Sequence, residues 1–203
     1  MDRDAPQLPA VLILWGIPGA GKTEFAKWLI ERLNGLRIDS DELSHQPLTV
    51  LEVAWLGVIR AEPGAPAAFM RAARSTGRPI VVEYGVWAVR ETIELLGQLQ
   101  TLGAEPWWFD SSPRAAALQA WRERNRRVAE QRRAGSPIES PMFFSTDEPW
   151  YRVVITIEAN WDLLKAFYGP TRMLVTVTAT DHGGYCHSAP STIYEMMTAA
   201  GDP

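Results

Sequence analysis

Gly16-Ile17-Pro18-Gly19-Ala20-Gly21-Lys22-Thr23 is a run of eight residues whose types and spacing suit the binding of a polyphosphate. It follows the pattern G-x-x-x-x-G-K-[ST]. Glycines carry no Cβ, so backbone N–H groups can turn inward toward an anion at the positive end of the following helix. Lys22 is placed to reach the β- and γ-phosphates of a nucleoside triphosphate, and the Thr23 hydroxyl to hold Mg²⁺. At average glycine usage, a chance match in a chain of this length is expected on the order of 1 in 100. Lys22 is also one of three lysines among 20 basic residues, so a lysine at this place is not background. The bland alternative, an ordinary tight turn, does not account for the apolar run before the loop and the helical pattern after it. A dinucleotide fingerprint is excluded, because Gly19-x-Gly21 is followed by Glu24 where that motif needs Gly or Ala.

Acidic residues stand where a parallel sheet would place them beside this loop. Ile38-Asp39-Ser40-Asp41-Glu42 follows the second expected strand, and Glu83 closes the third. Phosphoryl transfer to a hydroxyl needs one carboxylate to orient and deprotonate that hydroxyl, and another polar group to keep Mg²⁺ and its waters in place. Asp41 suits the first role and Glu83 the second. The competing readings are a turn or helix N-cap for Asp39 and Asp41, and a satisfied strand-end carboxylate for Glu83. Trp87 follows the third strand and could stack on an acceptor, so Asp39 and Trp87 are the substrate-side candidates. Trp55, Trp107 and Trp108 could do the same, but large aromatics belong more often to the core.

Six arginines lie between Arg122 and Arg133. At helical spacing Leu118, Trp121 and Val128 form an inner stripe, and Arg122, Arg126 and Arg133 line one edge of it. Guanidinium groups at that edge could neutralise charge that develops on a transferring phosphoryl group. Against this stands a solvated face on which Glu123 and Glu130 pair with the arginines. Asp181, His182, Cys186 and His187 follow no zinc spacing.

The elements that must position these groups alternate. Ala10–Trp15 reads as a strand buried on both faces, followed by a helix from near Gly21 that Asn34-Gly35 ends. A strand over Leu36–Asp39, helices over Leu48–Glu62 and Ala65–Ser75, and a strand over Arg78–Glu83 come next. Helix Ala88–Leu102, strand Glu105–Asp110, helix Pro113–Ala134 and strand Arg172–Val177 continue the order. Val153–Ile157 could be a strand by composition, but Trp150, Val153, Val154, Ile157, Trp161, Leu164 and Tyr168 fit a helical stripe, and Asp147-Glu148-Pro149 tips the reading to helix, since acids and proline suit a first turn. A last helix spans Pro190–Met197, with Thr192 and Glu195 at capping-box spacing. This alternation implies parallel strands joined by right-handed crossovers.

Taken together, these residues resemble the P-loop kinases of the zeta-toxin, polynucleotide-kinase and antibiotic-phosphotransferase kind, over most of the chain. The resemblance implies an α/β, three-layer P-loop NTPase fold with a five-stranded parallel sheet and an arginine-rich lid helix. It implies that Asp41 is the base, that Arg122 and Arg126 of the lid touch the ATP phosphates, and that adenine lies near Thr178–Asp181. Polynucleotide kinases of this group carry an arginine three residues beyond the base, where this chain has Ser44.

The 203 residues, with 46% hydrophobic content, suit a single domain over 1–203, with a lid region at about 113–148 that includes the connection Gly135–Pro141. A net charge of −4 gives no general attraction to nucleic acid. No apolar stretch reaches the roughly 20 residues of a membrane-crossing helix. One cysteine and no signal-like N-terminus make the cytoplasm the expected compartment. The expectation is an ATP- and Mg²⁺-dependent phosphotransferase acting on a hydroxyl of a small molecule. A polynucleotide 5′-hydroxyl kinase and a regulatory ATPase without a transfer substrate stay open as alternatives.

Overall fold

Val11–Gly16, the first strand (β1), is buried along its whole length, as an apolar run covered on both faces must be. The computed structural model describes residues 10–40, 43, 47–85, 90–111, 114–133, 154–160, 162–163, 173–175, 177–179 and 185–199. Asp41, Trp87, Gly135–Pro141 and the end of the expected adenine loop (Thr180 and Asp181) lie outside them, as do Asp147–Pro149.

In chain order the elements are β1, α1 (Lys22–Leu33), β2 (Leu36–Asp39), α2 (Val50–Ile59), α3 (Ala65–Ser75), β3 (Ile80–Tyr84), α4 (Arg90–Thr101), β4 (Ala104–Ser111) and α5 (Arg114–Arg133). They are followed by α6 (residues 154–160 and 162–163), β5 (Met173–Val175), β6 (Val177–Ala179), β7 (Tyr185–His187) and α7 (Pro190–Ala199). β2, β3, β1 and β4 form the body of a parallel sheet, and the three-residue β5 lies parallel to β4 at its edge, in the order β2-β3-β1-β4-β5.

That order determines where the site lies. The connection from β1 runs to the β2 edge, whereas the later connections run back past β1 to β4. With right-handed crossovers, this reversal opens a crevice at the carboxyl end of β1, beside β4. The crevice has a stiff floor. Trp15, Trp55, Trp107, Phe25 and Phe109 are among the largest fully buried side chains, each contributing about 1.5–3 kcal/mol by leaving water. Phe25 of α1 packs its ring against Trp107 and Phe109 of β4, at 5.8 and 5.4 Å between centroids, which pins the start of α1 to the sheet. α7 docks on α1 through Tyr194 and Trp28, with the Arg32 guanidinium over both rings.

Several local expectations change. The capping box belongs to α2, where the Thr49 side chain accepts from Glu52 N and the Glu52 side chain accepts from Thr49 N. Thr192 lies inside α7, whose first turn starts at Pro190, with Ile193 N donating to Ala189 O. The strand expected over Arg172–Val177 is divided. β5 stays in the main sheet, and β6 pairs antiparallel with β7, a strand not anticipated. The ambiguous segment is helical at 154–160, with Ile157 buried.

Candidate active site

The loop between β1 and α1 is built on glycine backbone conformations that other residues rarely adopt. Gly16 has φ 143°, and a Cβ there would stand 1.9 Å from the Phe109 carbonyl oxygen of β4. Gly19 has φ 80°, and a Cβ there would stand 2.0 Å from the Ala117 carbonyl oxygen of α5. The loop is therefore pressed between the sheet and α5 as closely as backbone allows. Ile17 N donates to Phe109 O at 3.1 Å and fixes its first turn. Gly21, the residue before α1, has no side chain with which to cap the helix, so no side-chain cap satisfies the amides of its first turn. Lys22 curls back over the loop, its Nζ donating to the carbonyls of Gly16 (2.9 Å) and Ile17 (3.0 Å).

Thr23 is the second residue of α1, and Glu83 sits one residue before the end of β3. The Thr23 hydroxyl donates to Glu83 Oε2 at 2.7 Å. Residues 60 apart in sequence are thus joined at the foot of the glycine loop. Strand register sets Asp39 directly beside Glu83. Arg37, two residues earlier on the same face of β2, donates through Nε to Glu83 Oε1 and through Nη2 to Asp39 Oδ2. Burial is the main influence raising the Glu83 carboxyl above its ordinary value; the neighbouring negative charge of Asp39 adds to it, while Arg37 and the Thr23 hydroxyl oppose it.

Among the described residues no three His, Cys, Asp or Glu side chains converge as a metal cage. One hydroxyl and one or two carboxylates are the donor set by which Mg²⁺ is held when phosphate oxygens complete its shell. Thr23 and Glu83, with Asp39 beside them, fit that ion, and the loop above them fits a polyphosphate.

Ser40, the residue before Asp41, is held in two directions. Its hydroxyl donates to the Glu83 carbonyl at 2.6 Å and accepts from Trp55 Nε1 at 2.9 Å. Trp55 is fully buried and belongs to the core, as do Trp107 and Trp108. On α5, Leu118 and Trp121 are buried as the stripe requires, and Arg122 and Arg126 are exposed. Arg126 donates to Glu130 at 2.7 Å, the helix-face pairing that stands as the alternative to phosphate contact. Arg114 grips Asp110 with two hydrogen bonds of 2.8 and 3.0 Å, clamping the start of α5 to the end of β4.

Sequence reading missed Arg37, Arg114 and the Ser40–Trp55 bond. Arg37 left a signal: alternation in Leu36-Arg37-Ile38-Asp39 puts a cation and an acid on one face of a strand that ends beside Glu83. The Ser40–Trp55 bond left none, because it spans a loop and a helix.

No protein-family model and no curated protein matches the sequence. Among solved structures, the chain is similar to shikimate kinase from Acinetobacter baumannii in complex with shikimate, at 16% identity, covering 97% of each chain with a TM-score of 0.49. It is similar to a gluconokinase from Sinorhizobium meliloti at 17% identity, covering 95% of this chain and 91% of that one, TM-score 0.46. It is also similar to Chaetomium thermophilum Kti12 in complex with ADP-AlF3 at 16% identity, covering 95% and 100%, TM-score 0.46. Identities this low equate no residue of this chain with one of theirs. No helix of the described residues is long and apolar enough to cross a membrane.

Proposed function

We propose that this chain is an ATP-dependent phosphotransferase that moves the γ-phosphoryl group to a hydroxyl of a small molecule. The observation that carries the reading is the Thr23–Glu83 hydrogen bond directly beneath a glycine loop pressed against α5. It sets a hydroxyl and a carboxylate side by side where the first turn of α1 meets the loop. The loop amides and the α1 terminus receive the phosphates, and Lys22 exchanges its bonds to Gly16 and Ile17 for phosphate oxygens. Thr23 and Glu83 hold Mg²⁺, which when bound offsets charge on the β- and γ-phosphate oxygens.

Asp41 takes the proton of the accepting hydroxyl as its oxygen bonds to phosphorus and ADP departs. Ser40 supports this assignment, since its two hydrogen bonds tie the chain just before Asp41 to Glu83 of β3 and to Trp55 of α2. Arg122 and Arg126 approach the phosphates from the lid, Arg126 giving up Glu130 to do so. Asp39 and Trp87 stand on the acceptor side, and the cytoplasm is the proposed compartment. The test is ADP release measured against pooled sugars, metabolites, antibiotics and oligonucleotides. With an acceptor in hand, Asp41→Asn is expected to lose transfer and keep nucleotide affinity. Unchanged transfer removes Asp41 from the mechanism.

A further inference from the structure

The position of Arg37 is unusual for a strand that ends at the proposed Mg²⁺ site. Its guanidinium forks onto Asp39 and Glu83, two acids brought side by side by the β2–β3 register. All three side chains are largely buried, at 16%, 12% and 6% exposure. Glu83 is shared, one oxygen facing Arg37 and the other the Thr23 hydroxyl. Two carboxylates this close and this poorly hydrated attract a divalent cation by themselves. A guanidinium lodged between them supplies a fixed positive charge where that attraction is strongest.

Resting on the proposed phosphate and Mg²⁺ roles of the site, we infer that Arg37 is a positioning residue that makes metal binding conditional on nucleotide. It cancels enough of the Asp39–Glu83 charge that a bare divalent ion is not retained. It also holds Glu83 with its second oxygen turned to Thr23, so the ion enters together with a polyphosphate. The triphosphate brings the negative charge that Arg37 withholds. A purely structural arginine would stabilise the fold without affecting which partner must arrive first.

Mn²⁺ serves as the probe, its free fraction read by electron paramagnetic resonance with the full-length protein. The wild type is expected to bind Mn²⁺ at least about tenfold more weakly without ADP than with it, the scale set by one unit charge beside the ion. Arg37→Gln should bind Mn²⁺ without nucleotide at least about tenfold more tightly than the wild type does, on the same reasoning. Arg37→Lys, with a point charge that forks less well, should fall between them. Wild-type protein that holds Mn²⁺ equally well with and without ADP overturns the inference. So does an unchanged nucleotide-free affinity in whichever variant folds. Failure of ADP and Mn²⁺ to raise the wild-type melting temperature instead overturns the phosphotransferase reading, so the two failures are told apart.

Discussion

Replacing Gly19 by Ala tests whether the proposed phosphate loop is seated as tightly as its geometry indicates. Two costs follow. An L-residue at φ 80° loses roughly 1–2 kcal/mol in the left-handed region. The new Cβ would also meet the Ala117 carbonyl oxygen at 2.0 Å, and that atom is helix backbone that cannot swing aside. Overpacking of this kind costs about 1–3 kcal/mol, so the total is roughly 2–5 kcal/mol. For a domain of this size the melting temperature should fall by about 4–20 °C. Gly64→Ala is the matched control, with φ 75° and no atom within 4 Å of the added Cβ, so only the backbone cost remains. Thermal unfolding by circular dichroism, with and without ADP and Mg²⁺, reads both effects. Gly19→Ala should lose more stability than Gly64→Ala, and it alone should lose stabilisation by nucleotide. Equal melting losses with nucleotide binding intact would refute the tight seating of the loop against α5.

Glu83 supplies a pH-dependent prediction. Its folded pKa is raised from an ordinary 4.5, by burial first and by Asp39 second, so the folded state keeps the proton longer than the unfolded chain. That contribution is complete below 4.5 and is lost as pH rises through the raised folded value. Glu83→Gln cannot titrate, so nucleotide- and metal-free denaturation should show the variant gaining on the wild type from pH 4.5 upward; a constant difference would contradict the shift. Arg126→Ala removes an exposed pair with Glu130 and should change stability by no more than about 0.5 kcal/mol. If Arg126 reaches the phosphates, phosphoryl transfer in that variant should nonetheless fall at least about tenfold; a full rate would return Arg126 to the solvated face.

The parts of the fold that local chemistry dictates were legible in the sequence. β1, the loop and α1 could be read because one apolar run, three glycines and a helical stripe all lie within 24 residues and need no distant partner. Asn34 ends α1 at φ 51°, the conformation its Asn-Gly pair implies. Glu83 could be placed at a strand end, but its bond to Thr23 depends on β1–β3 pairing, which sequence spacing does not carry. The same holds for Arg37, whose meaning comes from the acid on the neighbouring strand. Thr49/Glu52 and Thr192/Glu195 share capping-box spacing, and of these two pairs only the first lies at a helix start. Proline at 190 begins α7 earlier and takes Thr192 inside it. β7 was missed because three residues are too few for a period-two pattern.

Calorimetric titration of a non-hydrolysable ATP analogue with Mg²⁺ into the wild type and Lys22→Ala bears most directly on the central claim. Saturable, Mg²⁺-dependent binding at one site per chain, abolished by the substitution, is the expected result. Equal binding by both proteins, or none by the wild type, would mean that the turn from Gly16 to Thr23 is not where a triphosphate is held.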